Sequence, residues 1–417
     1  SVDDEVSFAG SGTLANNDIL GVYIKDGKLY YSINGTMQNS SNSVAAFSKP
    51  GRYRITVGHN ANYSPYASVQ IICPQSKWTY TPSGDFANYR EINQDNAPET
   101  AKGITGMVWI KNRDEARSHV IYDSSRGVGQ KLQPDKTNAD TLNVDGVTKF
   151  LKGGVAVGSQ NQSNDAGDGN VAWNWVANGS TTASNSNGSI TSTVQANTTA
   201  GFSIVQYTGT GSNATVGHGL AQKPEWMIFK NLDDGNEGWS VYHKSLTSAT
   251  YILTLNNTNT EASSATDFNS TAPTSTVFSV GTNARTNSNG VRYIAYCWHG
   301  VDGFSKFGKY TGTGSSDGTF VATNFSPSFV MIKRIDSAGN WVILDNKRNT
   351  FNPVDLQLVA NSTGADATGV DYLDFLANGF KQRSTNTSFN ASGGTYIYMA
   401  FAEHPFVGDG TSPVTAR

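Results

Sequence analysis

One residue pattern recurs along this chain at an almost fixed spacing, and that repetition limits the fold more than any other feature. Tyr207-Thr-Gly-Thr-Gly211 returns as Tyr310-Thr-Gly-Thr-Gly314, and Pro224-Glu-Trp-Met-Ile-Phe-Lys230 as Pro327-Ser-Phe-Val-Met-Ile-Lys333, both 103 positions later. Trp239-Ser-Val-Tyr242 answers Trp341-Val-Ile-Leu344 at 102, and Tyr293-Ile-Ala-Tyr-Cys-Trp298 answers Tyr396-Ile-Tyr-Met-Ala-Phe401 at 103. Four landmarks in one order mark a duplicated domain of about 100 residues. A diverged copy precedes them. Met107-Val-Trp-Ile-Lys-Asn112 shares the Lys-Asn ending of Met227-Ile-Phe-Lys-Asn231, Val120-Ile-Tyr-Asp123 matches Val342-Ile-Leu-Asp345, and Val171-Ala-Trp-Asn-Trp175 matches Ile294-Ala-Tyr-Cys-Trp298.

Each copy holds six or seven short runs that alternate or are continuously apolar. In the last copy these are 307–311, 319–323, 329–334, 341–345, 356–359, 372–381 and 396–403. No stretch keeps a 3.6-residue apolar period beyond a turn or two, so helices are not expected. The 43 glycines and 40 asparagines outnumber all 63 charged residues, a proportion that suits many tight turns. The expected fold is therefore all-β: tandem antiparallel β-sandwich domains of jelly-roll or concanavalin-like type, three of them internal repeats. Propeller blades would have about half this period.

The expected organisation is 1–76, a partial sandwich; 77–177, repeat 1; 178–201, a linker; 202–303, repeat 2; 304–406, repeat 3; and 407–417, a tail. The stretch 178–199 is almost wholly Ser, Thr, Asn and Gly, too poor in apolar groups to form a packed core. It is expected to lie extended across a neighbour or to move freely. The chain opens on Ser1-Val-Asp-Asp-Glu-Val6, too acidic for a secretion signal, so an excerpt of a longer protein is expected. Asp26-Gly27 and Asn34-Gly35 are hairpin signals between alternating runs; further alternating runs follow at 52–58 and 67–72.

The residues give little chemistry. A net charge of −3 implies no attraction for nucleic acid, and no run of about 18 apolar residues provides a membrane-crossing helix. Cys73 and Cys297 stand too far apart in sequence to read as a metal motif. Gly312 and Gly314 precede a strand rather than a helix, so they read as turn positions and not as a phosphate loop. The loops Asp165–Asn170 and Asp233–Glu237 lack EF-hand register and read as hairpin tips. His59, His119, His218, His243, His299 and His404 are scattered singly beside no nucleophile, with His243 at the repeat position of Asp123. Glu225, Asp302 and Glu403 are the carboxylates to weigh for glycosidase chemistry, which leaves no sequence signature. Trp173 and Trp175 share one strand face and offer either a core or a sugar-stacking pair. No catalytic, cofactor-binding or metal-binding residue is assigned, no cofactor is expected, and the chain is not expected to be an enzyme.

Two resemblances add to this reading. Leu20-Gly-Val-Tyr23 with Leu29-Tyr-Tyr-Ser-Ile-Asn-Gly35 resembles the central strands of a SPRY, concanavalin-like sandwich, over about 70 residues. From about Gly103 to Phe406 the chain resembles a repeat family of predicted structural proteins of marine bacteriophages. The residues that carry it are Pro327–Lys333, Trp341–Asp345, Arg348-Asn-Thr350, Asn378-Gly-Phe380 and Tyr396–Glu403. Trp109-Ile-Lys-Asn-Arg113, Tyr122-Asp-Ser-Ser-Arg-Gly127 and Val216-Gly-His-Gly-Leu220 carry it in the earlier copies. This resemblance implies a virion component, the distal part of a tail or capsid fibre, strung as an elongated row of sandwiches. It implies partners among other copies of the chain, as a homotrimer, among other virion proteins and among host surface glycans, with no nucleic acid and no membrane insertion. A secreted lectin and a glycan depolymerase are the alternatives.

Overall fold

The computed structural model describes residues 20–25, 28–34, 36–37, 45–46, 104–151, 153–178 and 181–403. The chain divides into two units, residues 1–98 and 99–417. Apart from two four-residue helices, the regular structure of the described residues is antiparallel strand, as the sequence pattern requires.

In the first unit, strands Leu20–Lys25 and Lys28–Ile33 pair with Lys25 opposite Lys28, a register that leaves only Asp26 and Gly27 between them. Two-residue strands Thr36–Met37 and Ala45–Ala46 both pair with Lys28–Ile33. The alternating runs at 52–58 and 67–72, with Cys73, His59, His404 and the tail, lie outside the described residues.

In the second unit the duplicated segments share one strand order. The second repeat lines up Phe202–Thr208, Arg292–Trp298, Trp226–Asn231, Ser240–His243 and Tyr251–Thr254. The third lines up Ser305–Thr311, Thr395–Ala402, Pro327–Arg334, Trp341–Asp345 and Leu358–Val359 in the same sequence of places. In the first, Asn170–Val176, Thr105–Asn112 and Val120–Asp123 occupy the three central places. A smaller sheet covers one face of each large sheet in the later two repeats: Ala214–Gly217 with Val277–Val280, and Phe320–Ala322 with Gly379–Gln382 and Leu373–Leu376. The expected single run 372–381 is thus two strands, because Ala377 and Asn378 turn between them.

The central strands are apolar on both faces because both faces are buried. Along Pro327–Arg334, Val330 and Ile332 face the interior of their own sandwich, whereas Phe329 and Met331 face the other way. Trp226 and Ile228 alternate likewise with Met227 and Phe229. The outward set from all three repeats meets in one common core containing Trp109, Trp175, Trp226, Trp298, Trp341 and Phe401. Each fully buried indole removes roughly 150–250 Å² from water, about 4–6 kcal/mol of transfer free energy.

The three repeats are therefore not strung end to end, which corrects the expectation of an elongated row. They close on one another in a ring, and the seams repeat the same contacts. Asp140 N–H donates to the Leu232 carbonyl at 2.8 Å, Glu261 N–H to Ile335 at 3.0 Å and Asp366 N–H to Arg113 at 2.8 Å, linking first to second, second to third and third to first. Going the other way round, the Trp239 indole donates to the carbonyls of Gln133 and Lys136, the Trp341 indole to Thr254, and His119 Nε2 faces the Val359 carbonyl at 3.1 Å. The contacts describe an internal quasi-threefold arrangement.

The Ser/Thr/Asn-rich stretch read as a linker is built into this unit. Ala183–Asn185 and Ser192–Asn197 extend the second repeat's sheet to eight strands, with Ser192–Asn197 paired to Phe202–Thr208. Its main-chain pairing and the buried side chains of Ile190 and Val194 hold a composition that could not form a core alone. Gly211 and Gly314, offset by 103, sit at φ of +71° and +68°, where only glycine is unstrained, which fits their reading as turn positions.

Candidate functional site

Trp173 and Trp175 are each only 8% exposed. Their strand alternates exposed and buried residues, and both indoles fall on the buried face. Trp175 packs edge-on against Trp298, Phe329 and Phe401, and Trp173 against Trp109 and Phe329. They are core residues, so the sugar-stacking reading of this pair is corrected.

Two of the three seams carry a buried ionic network. Arg126 bridges Asp123 at 2.6 Å and Asp140 at 2.8 Å; Arg348 bridges Asp345 at 2.7 Å and Asp366 at 2.6 Å, all four carboxylates nearly out of water. Across the seams, the Tyr296 hydroxyl donates to Asp123 and the Trp173 indole to Asp345. In the second repeat the corresponding residues are His243 and Leu246, and the third seam has no such pair. The signal was present in the sequence as Asp-x-x-Arg at 123–126 and again at 345–348.

Lys111, Lys230 and Lys333 are equivalent, buried lysines that close loops. The Lys230 ammonium donates to the carbonyls of Asn231, Asp234 and Glu237; Lys333 donates to Thr258, Arg334 and Gly339; Lys111 donates to Asn112 and Glu115. Burial pulls each down to about 8.

The buried histidines are structural in geometry. His119 Nδ1 accepts from the Trp109 indole at 2.9 Å, which leaves Nε2 to donate to Val359 across a seam. His218 Nδ1 accepts from Leu220 N–H, and Nε2 faces the Thr274 carbonyl. Burial lowers His119 and His243 to about 3 and His218 to about 4. The acidic loops are occupied too: Asp165 pairs with Arg117, Asp168 accepts from Asn112, and Asp233 pairs with Arg292. Among the described residues no three His, Cys, Asp or Glu side chains gather as a metal site.

A cleft of about 590 Å³ in the second repeat is open to solvent. Glu225 and Asp302, two of the three carboxylates weighed from sequence, both line it; Glu403 lies in the third repeat beside Lys347. Glu225 is paired with Lys244 at 2.9 Å. Thr198, Thr199, Gln222, Lys223, His299 and Gly300 also line the cleft. The walls are pinned by main-chain bonds: Glu225 N–H to Trp298, Lys244 N–H to Glu225, and His299 N–H to Gly201. The residues that sequence reasoning missed here, Lys223 and Lys244, are single lysines in turn-rich segments and carry no motif.

No curated protein and no solved structure matches the chain. Residues 83–405 match the model of a family described as a domain of unknown function (DUF7483), a span that takes in all three repeats, and the chain belongs to that family.

Proposed function

We propose that this chain is a structural protein of a bacteriophage particle, the part of a tail or capsid appendage that faces the host surface. The observation that carries the proposal is the common core. Three repeats commit their outward faces to one another, and buried carboxylates at two seams accept hydrogen bonds across them, which suits a load-carrying body better than a mobile enzyme. The phage-repeat resemblance over residues 103–406 supports the same reading. Association as a homotrimer belongs to the proposal, on surfaces other than the three seams, since those are filled within each chain.

The experiment is to raise antibody against the chain and probe purified particles by immunogold microscopy and peptide mass spectrometry. The chain is expected in stoichiometric amounts on an external appendage. Its absence from particles, with presence in the culture supernatant, overturns the assignment in favour of a secreted lectin. Release of reducing sugar from host envelope glycans favours the depolymerase.

A further inference from the structure

We infer that the cleft of the second repeat binds a neutral saccharide unit; this rests on the host-contact part of the proposal above. Its chemistry selects the ligand class. Lys223 and Lys244 balance Glu225 and Asp302, so neither a phosphate nor an amine finds an excess of the opposite charge. The hydroxyls of Thr198 and Thr199 and the amide of Gln222 add groups that both donate and accept. Sugar hydroxyls do both, and a lining that mixes donors and acceptors with the apolar stems of its side chains suits them. The volume falls within the range of roughly 300–1,000 Å³ typical of ligand sites.

The repeats differ locally at this place. At Gly300 a side chain is missing, and a Cβ there would come within 3.0 Å of Glu225 Oε2. The third repeat has Glu403 at the equivalent place, with its side chain largely buried, and has Ser328 and Asn346 where the second has Glu225 and Lys244. The lining of the cleft is also prepared. His299 is 8% exposed, its Nδ1 lies 2.9 Å from the Gly300 carbonyl, and its Nε2 is buried without a hydrogen-bond partner. Val301 is the one apolar side chain in the lining, so no aromatic face is available for stacking. Affinity is therefore on the order of a millimolar, and binding to a cell surface needs many copies at once.

The test is saturation-transfer NMR on the full chain with the methyl glycosides of glucose, galactose, mannose and N-acetylglucosamine, and with inorganic phosphate as a separate arm. At least one glycoside is expected to bind, undisplaced by phosphate. Gly300→Glu, which places the third repeat's residue in the cleft, is expected to weaken binding by at least about tenfold. Should that variant lower the thermal midpoint, Glu225→Gln decides instead, because it preserves shape while removing the charge balance, and it is expected to weaken the same glycoside. No signal from any glycoside at about 50 mM overturns the inference, as does binding unchanged in the folded variants or displacement of every glycoside by equimolar phosphate. Absence of the chain from particles would sink the virion assignment and leave the cleft standing, so the two failures are told apart.

Discussion

The indole N–H of Trp173 donates to Oδ2 of Asp345 at 3.2 Å, across 172 residues of chain and across a seam between repeats. The same carboxylate oxygen holds Arg348, whose guanidinium stacks over the Trp173 ring at 5.8 Å. Packing, hydrogen bonding and charge thus meet at one contact between the first and third repeats, and its removal is the most direct probe of the ring.

Trp173→Ala is expected to lower stability by about 3–5 kcal/mol, since it leaves a cavity in a shared core. Phe351→Ala serves as the contrast: Phe351 is 82% exposed, and its loss is expected to stay within about 0.5 kcal/mol. Urea denaturation followed by tryptophan fluorescence, with the Trp173→Phe variant as a spectral control, measures both.

Arg348→Met is expected to cost about 3–5 kcal/mol, because Asp345 is left buried without its cation and Asp366 keeps only Arg113. Adding Asp345→Leu and Asp366→Leu to that variant is expected to recover much of the loss, as the second repeat already manages with Leu246 at the arginine's position. Comparison of the single and triple variants by denaturant midpoints at one pH checks this. A triple variant no more stable than the single one contradicts it.

Acid is expected to destabilise the second unit as its buried histidines are driven to take up protons. His119, His218 and His243 hold fewer protons folded than unfolded, because burial lowers them to about 3 or 4 from an ordinary 6.5. Their contribution is complete above pH 6.5 and is lost as pH falls from there towards the folded values. By pH 5 each has cost up to about 2 kcal/mol. Denaturant titrations at pH 7 and 5 measure the slope, and His119→Gln is expected to flatten it by about a third of the histidine contribution.

Cys297 is expected to resist thiol reagents in the native protein. It is fully buried in the second sandwich, and burial pushes its thiol far above the ordinary range. Peptide-resolved labelling with iodoacetamide should modify Cys297 only after denaturant is added. Rapid labelling in buffer would show that this sandwich opens.

The repeat landmarks made it legible in the sequence that the second and third repeats share one strand order, though not which order, because a 103-residue offset in Pro-apolar-Lys and Tyr-Ile-x-x-x-aromatic runs identifies equivalent elements. The ring was not legible. Periodicity records that both faces of Trp226–Asn231 are apolar, but not what covers the second face. At the seams, His119 stands where the later repeats have Trp239 and Trp341, so residue type hid a shared role. The strands at 183–185 and 192–197 escaped because main-chain pairing, not apolar alternation, holds them. Glu225 and Asp302 could be named as carboxylates, yet only the turn at the end of Trp226's sheet brings residues so far apart in sequence to one cleft.

A true trimer of identical chains must repeat every substitution three times, once at each seam. Here the three seams are encoded separately, and they have diverged: two keep an aspartate–arginine lock, and the third has exchanged it for His243 and Leu246. Likewise the second repeat has Gly300 where the third has Glu403. Carrying three repeats in one polypeptide lets each seam of a threefold body differ from the others without sacrificing the arrangement that holds it together.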